Sequence, residues 1–210
     1  MPALIRLATP ADGPALAGIY APAVVDCSTS FEIEPPDAAE MARRVERVAA
    51  RTPWLACVHG DEVVGYAYGG IHRERAAYQW SAEVSAYVRA DVHRAGVARA
   101  LYTSLFAVLV LQGFRNAYAG ITLPNEASVG LHEALGFTRV GVYHGIGYKL
   151  GVWHDVLWLE RALRPRDADA AAPIPLPALQ DTAAFHTALA AGLPLLRLGA
   201  DSTHLIGESP

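Results

Sequence analysis

Between Tyr87 and Tyr102 the sequence passes from an apolar run into Arg89-Ala90-Asp91-Val92-His93-Arg94-Ala95-Gly96. It then enters a segment whose apolar residues, Val97, Leu101, Leu105, Val108 and Leu109, recur at helical spacing. This reads as a strand, a tight basic turn containing one glycine, and a helix that stops at Gln112-Gly113. The first N–H groups of a helix have no partner within it, and its dipole adds about half a positive charge at that end. Such a turn therefore builds an anion site from main chain alone, suited to a diphosphate. Small residues at Ala95, Gly96 and Ala98 allow a phosphate to approach, while Arg94 and Arg99 add charge. Taken without its surroundings, the segment is equally an ordinary strand-to-helix turn with a solvated basic pair.

The rest of the chain alternates strand and helix signals. Ile5-Arg6-Leu7 is a short strand, and Thr9-Pro10-Ala11-Asp12 supplies a cap, a proline and an acid for a helix with Leu16, Ile19, Tyr20 and Val24 on one face. A polar loop through Ser28, Thr29, Ser30 and Phe31 follows. Asp37-x-x-Glu40 then opens a second helix with Met41, Val45 and Val48 as its stripe. Trp54 to Val58 and Val63 to Ile71 form a hairpin about His59-Gly60-Asp61-Glu62, and Trp80 to Val88 is the next strand. After the central helix come a strand over Tyr118 to Leu123 and a short helix over Ala127 to Leu135. Strands over Thr138 to Tyr148 and His154 to Leu163 complete the order βααβββαβαββ. Beyond Arg164 the composition shifts to Pro165, Asp167, an alanine run and Pro173-Ile174-Pro175-Leu176-Pro177. A division into residues 1–164 and a linker with tail over 165–210 follows. Phe185, Leu189, Leu193, Leu195 and Leu196 make the tail apolar enough to pack on a surface that the sequence does not identify.

Composition excludes several classes. With 52% hydrophobic and 18% charged residues the chain is too apolar for disorder. Its longest apolar stretch, Leu101 to Leu111, contains Thr103 and Ser104 and falls short of the roughly 20 residues a bilayer requires. Met1-Pro2-Ala3-Leu4-Ile5-Arg6 has no basic region followed by a long apolar one, so a cytoplasmic location is expected. Cys27 and Cys57 are expected as reduced thiols, and the eight histidines lack metal-site spacing, so no metal is expected. A net charge of −4 argues against a nucleic-acid partner.

The turn resembles the coenzyme A diphosphate loop of the GNAT acetyltransferases, with His93 standing where Gln or Arg is usual. Leu123-Pro124-Asn125-Glu126-Ala127-Ser128 through Leu131-His132-Glu133-Ala134-Leu135-Gly136-Phe137 resembles the segment that flanks the coenzyme's pantetheine arm. Ala8-Thr9-Pro10-Ala11-Asp12, Trp54-Leu55, Tyr78-Gln79-Trp80 and Leu101-Tyr102 are similar to the phosphinothricin and methionine-sulfone branch. So are Gly147-Tyr148-Lys149 and Trp153-His154-Asp155-Val156, and the likeness extends over about residues 4 to 163. The resemblance implies an α/β GNAT fold, with a mixed, mostly antiparallel sheet of seven strands flanked by about four helices. It also implies acetyl-CoA as cosubstrate, direct transfer to a small-molecule amine and a homodimer.

The same resemblance implies roles for residues. Ser85, Ala86, Tyr87 and Val88 would pair with the pantetheine arm. His93, Arg94, Ala95, Gly96, Val97 and Ala98 would hold the diphosphate, with Asn125 and Ser128 beside the arm; Asn125 also reads as the cap of the short helix. Glu83 would take the amine's proton, needed because an amine of pKa roughly 8 or above is mostly ammonium at neutral pH. If Glu83 is buried among apolar neighbours, its pKa should rise into a useful range. His132, where many relatives carry Tyr, would serve the departing thiolate. Arg73 and Arg75 would pair with the acceptor's acidic groups, and Phe31, Tyr78 and Trp80 would wall its pocket. Two alternatives stay open: a GNAT enzyme for a peptide N-terminus or polyamine, and a non-catalytic coenzyme A sensor.

Overall fold

The computed structural model describes residues 3–167 and 170–199. Met1 and Pro2, on which the reading of the chain's start partly rests, and tail residues 168–169 and 200–210 lie outside that set.

Local chemistry starts each early element. The Asp12 carboxylate accepts the Thr9 N–H and is held by two Arg6 nitrogens, each contact 2.7 Å. This ties β1 (Leu4–Leu7) to the turn Pro10–Asp12 that leads into α1 (Gly13–Val25). Asp37 accepts the Glu40 N–H at 2.7 Å and caps α2 (Ala38–Ala49). The hairpin of β2 (Trp54–His59) and β3 (Glu62–Ile71) closes with His59 opposite Glu62. Gly60 takes the positive φ of 61° that the two-residue turn demands. There follow β4 (Ser81–Val88), α3 (Val97–Gln112), β5 (Asn116–Thr122), α4 (Glu126–Ala134), β6 (Thr138–Lys149) and β7 (Val152–Ala162). The expected strand and helix order holds, with boundaries moved by a residue or two.

Seven strands form one sheet in the order β1-β2-β3-β4-β5-β7-β6. Only β4 and β5 run parallel; the other pairs are antiparallel. Alternation in β2 shows how the layers arise. Leu55 and Cys57 face the cluster built on α3, whereas Trp54, Ala56 and Val58 face α1 and α2. A strand covered on both sides reads as a continuous apolar run, as this one does. Leu101, Leu105 and Leu109 of α3 are fully buried, each burial contributing roughly 1.5–3 kcal/mol.

The segment after Arg164 runs back over the domain. Arg115 pairs with Asp167 at 2.9 Å, the Ile174 N–H donates to Gln112 O at 2.7 Å, and Leu176 and Phe185 pack with Val108. Thr182 caps a fifth helix, α5 (Ala183–Ala190), which lies along α3. Among the described residues the expected four helices flank the sheet and α5 is added by the tail, where Phe185 and Leu189 give an apolar stripe that α3 covers.

Candidate active site

The turn before α3 has the form of an anion cradle. Arg94 and Gly96 both take positive φ, 64° and 82°, with Ala95 between them. Alternating handedness of this kind turns successive N–H groups into one concavity. Among the described residues no protein acceptor takes the N–H of Arg94, Gly96, Val97 or Ala98. These donors border a groove of about 590 Å³, with His93, Arg99, Val88 and Ala86 along its wall. The His93 ring is held by the Val88 carbonyl at 3.0 Å. Two expectations need correction. Ala95 does not line the groove but packs against the core. The space where a Gly96 side chain would stand holds the Leu195 carbonyl, so the absent Cβ makes room for the tail rather than for a phosphate.

The groove leads into a gap in the sheet. β5 pairs with β4 only from Ser81↔Asn116 to Glu83↔Tyr118, while β3 follows β4 as far as Val88. From Val84 onward the backbone edge of β4 therefore opens onto a cleft bordered by Ser85, Ala86, Tyr87, Gly120 and Thr122. Asn125 accepts the Ser128 N–H at 3.1 Å and so caps α4, and both residues border groove and cleft.

On the far side of the cleft lies a third space of about 390 Å³, lined by Phe31, Glu83, Ser85, Tyr143, Ile146 and Trp158 among others. Thr29, from the loop after α1, borders all three spaces. Lys149 donates to the Ser30 carbonyl at 2.6 Å, and the Phe31 ring lies so close to Gly147 that a Cβ there would overlap it. Those contacts fix the loop. Glu83 opens into this pocket with its side chain 40% exposed, so the expected burial among apolar neighbours is not found. Its neighbour is the mostly buried His72, whose Nδ1 stands 3.5 Å from Glu83 Oε2 without hydrogen-bond alignment. The His72 ring stacks on Tyr118 at 4.5 Å.

The substrate-side residues are less gathered than expected. Arg73 is exposed and outside the pocket lining, with its guanidinium 6.0 Å from the ring of Trp158, which does line the pocket. Arg75 and Tyr78 are exposed and outside the pocket lining, although Tyr78 meets His72 edge-on at 6.3 Å. Trp80 does not wall the pocket: its indole N–H donates to Ala171 O at 2.8 Å, anchoring the tail. The pocket's indole is Trp158, whose buried Nε1 has no partner among the described residues. Sequence reading missed Trp158 because it lies inside the continuous apolar run Val156-Leu157-Trp158-Leu159, where nothing local separates wall from core.

His132 is buried and fully engaged. Nδ1 lies 2.8 Å from Ser128 O, an atom that only accepts, so this nitrogen carries the proton. Nε2 then accepts from the Tyr102 hydroxyl at 3.1 Å. Burial lowers the His132 pKa, partly offset by the Ser128 bond, and raises that of Tyr102. The expected acid is therefore a neutral imidazole with no spare N–H. The hydroxyl it holds, Tyr102 Oη, belongs to a residue that borders both groove and cleft.

Residues 5–158 match the acetyltransferase (GNAT) domain family, and the chain belongs to that family. It is 40% identical over 160 residues to a phosphinothricin N-acetyltransferase of Streptomyces viridochromogenes, covering 76% of this chain and 87% of that one. It is 33% identical over 168 residues to an L-methionine sulfoximine/L-methionine sulfone acetyltransferase of Pseudomonas paraeruginosa, covering 79% and 97%. The fold resembles the crystal structure of a Sinorhizobium meliloti phosphinothricin acetyltransferase in complex with AcCoA. There the TM-score is 0.74 and the identity 32%, covering 82% of this chain and 94% of that one. Donors without protein partners beside an elongated groove suit a coenzyme carrying a diphosphate. No group of three or more metal-ligating side chains is gathered among the described residues. No described helix is long and apolar enough to cross a membrane.

Proposed function

We propose that this chain transfers an acetyl group from acetyl-CoA to the amine of a small amino-acid-like substrate of the phosphinothricin, methionine sulfone or methionine sulfoximine type. The observation that carries the reading is continuity: the unpartnered N–H groups of Arg94, Gly96, Val97 and Ala98 open into the β4–β5 gap, which ends at Glu83 and the Trp158 pocket. Acetyl-CoA supplies the thioester. The backbone of Val84 to Val88 lines up the pantetheine amides as an added strand would and offers an N–H to charge on the thioester oxygen. Positioning supplies much of the acceleration.

Glu83 takes the ammonium proton, directly or through a water that its exposure admits. As the thiolate departs, the Tyr102 O–H leaves His132 Nε2 and donates its one hydrogen to the sulfur. Arg73, beside the Trp158 ring, meets the acceptor's acidic group, with Arg75 contributing charge; this disfavours cationic polyamines and peptide N-termini. Phe31 and Trp158 wall the pocket. With two thiols and no described membrane-crossing helix, the reading places the enzyme in the cytoplasm. The reading includes a homodimer, supported by the exposed apolar strip on β6 and β7, where Val140, Tyr143, Ile146, Tyr148, Val152 and Trp153 are all at least half exposed.

The test is thiol release from acetyl-CoA across phosphinothricin, methionine sulfone, methionine sulfoximine, ordinary amino acids and basic or peptide amines. The reading expects turnover with the first three; activity confined to basic or peptide amines refutes the substrate class. Glu83→Gln separates enzyme from sensor. It should lower kcat by about a hundredfold or more while leaving acetyl-CoA binding intact.

A further inference from the structure

We infer that the C-terminal segment Gly192 to Arg197, which lies beyond the residues matched by the family, is a positioning element of the coenzyme site. It would hold the turn at residues 93–96 in its anion-binding shape from behind. The inference rests on the reading that the N–H groups of Arg94, Gly96, Val97 and Ala98 receive the diphosphate.

The tail's path is specific. From the C-terminal end of α3, α5 returns along that helix to its N-terminus. The fully buried Ser104 donates from Oγ to Leu189 O at 2.7 Å and accepts the Gly192 N–H at 3.0 Å. Gly192 sits so close to α3 that a Cβ would overlap the Ala100 carbonyl. Leu193, Leu195 and Leu196 then pack against the main core. The Arg197 N–H donates to Ala95 O at 2.8 Å, and Leu195 O occupies the place of a Gly96 side chain.

The contact has a direction that explains its effect. In a continuing helix the Ala95 carbonyl would accept from residue 99. The left-handed Gly96 prevents that, and Arg197 satisfies the carbonyl instead. The tail thus ties down the turn's backward-facing C=O, while the N–H groups of Arg94 and Gly96 stay without protein partners among the described residues. It borders none of the groove. A turn with two successive positive-φ positions flanking one residue is costly to hold without outside contacts, and Arg94 is not even a glycine. Docking of the tail therefore raises the fraction of molecules whose turn is ready for the coenzyme.

The test uses the full chain. Gly192→Val forces a side chain against Ala100 and lifts the crossing off α3. The expected result is a rise of about tenfold in KM and Kd for acetyl-CoA, since apparent affinity falls with the competent fraction. Turnover number and acceptor KM should stay within about twofold of the parent, as for loss of uniform binding. Ser104→Ala removes both anchoring bonds without added bulk and should act in the same direction, so the inference stays testable should Gly192→Val fail to fold. By linkage, saturating acetyl-CoA should slow hydrogen exchange at the Arg197 amide of the parent protein. Ala98→Glu, which sets a carboxylate in the cradle, marks the other reading: it should abolish acetyl-CoA binding whether or not the tail matters. Unchanged acetyl-CoA affinity in folded tail variants, beside a dead Ala98→Glu, overturns the inference alone. Full affinity in Ala98→Glu overturns the cradle reading and the inference with it. A fall in kcat with KM unchanged also refutes the positioning role.

Discussion

At the scale of single residues, the chemistry depends on which atom holds which proton. Ser128 O forces the His132 proton onto Nδ1, and Nε2 then needs the Tyr102 hydroxyl. The two act as a unit, and a double-mutant cycle should say so. Tyr102→Phe and His132→Ala should each lower kcat by roughly tenfold to a hundredfold, and the double variant should be little worse than the poorer single one. Multiplicative losses would separate them. His132 also has a stability signature. Its folded-state pKa lies below the ordinary 6.5 because burial disfavours the charged ring. The unfolded chain therefore binds more protons in the window below 6.5, so this contribution is complete above that pH and declines as pH falls through the window. His132→Gln should flatten the drop in Tm between pH 7 and pH 5; an unchanged drop would show that His132 does not contribute to it.

At the scale of elements, the sequence was legible wherever local chemistry decides. Asp37 with Glu40 placed the start of α2, and Asp37→Ala should cost about 1 kcal/mol in denaturant unfolding; a loss near zero would mean the cap is idle. The hairpin turn at Gly60-Asp61 and the stop at Gly113 were equally plain, since left-handed backbone favours glycine. The cradle was readable as strand, turn and helix, and its fitness for anions follows from N–H groups that any residue provides. What the sequence withheld is what long-range contact decides. Trp80 and Trp158 are both aromatic residues of strand-like context, yet one anchors the tail and the other faces the pocket. His72 gave no signal because its place beside Glu83 follows from β3 pairing with β4, where Gly70 stands opposite Glu83. Thr29 sits in a polar loop whose position is set by Lys149, far along the chain.

At the scale of the whole molecule, the sheet does two jobs. Its antiparallel part carries the core, and the parallel pair β4–β5 opens into the cleft where the proposed function sets the coenzyme's arm. The tail, expected from its leucines and Phe185 to pack on a surface the sequence did not identify, contributes a helix to the outer face of α3. The strip on β6 and β7 is left bare, and Tyr143 and Ile146 belong to both strip and pocket. A second copy on that strip would therefore help close the pocket. Light scattering should give twice the mass of one chain, and Trp153→Asp, at a residue 68% exposed, should shift it toward one. A monomer in the parent protein contradicts the dimer.

The central claim is that the backbone donors of Arg94, Gly96, Val97 and Ala98 receive the coenzyme's diphosphate. Amide spectra of the nitrogen-labelled protein, titrated with acetyl-CoA, test it most directly. The account predicts that the largest shifts fall on Arg94, Gly96, Val97 and Ala98, and that they saturate together with those of β4. Saturable binding that leaves these four amides unmoved would contradict it.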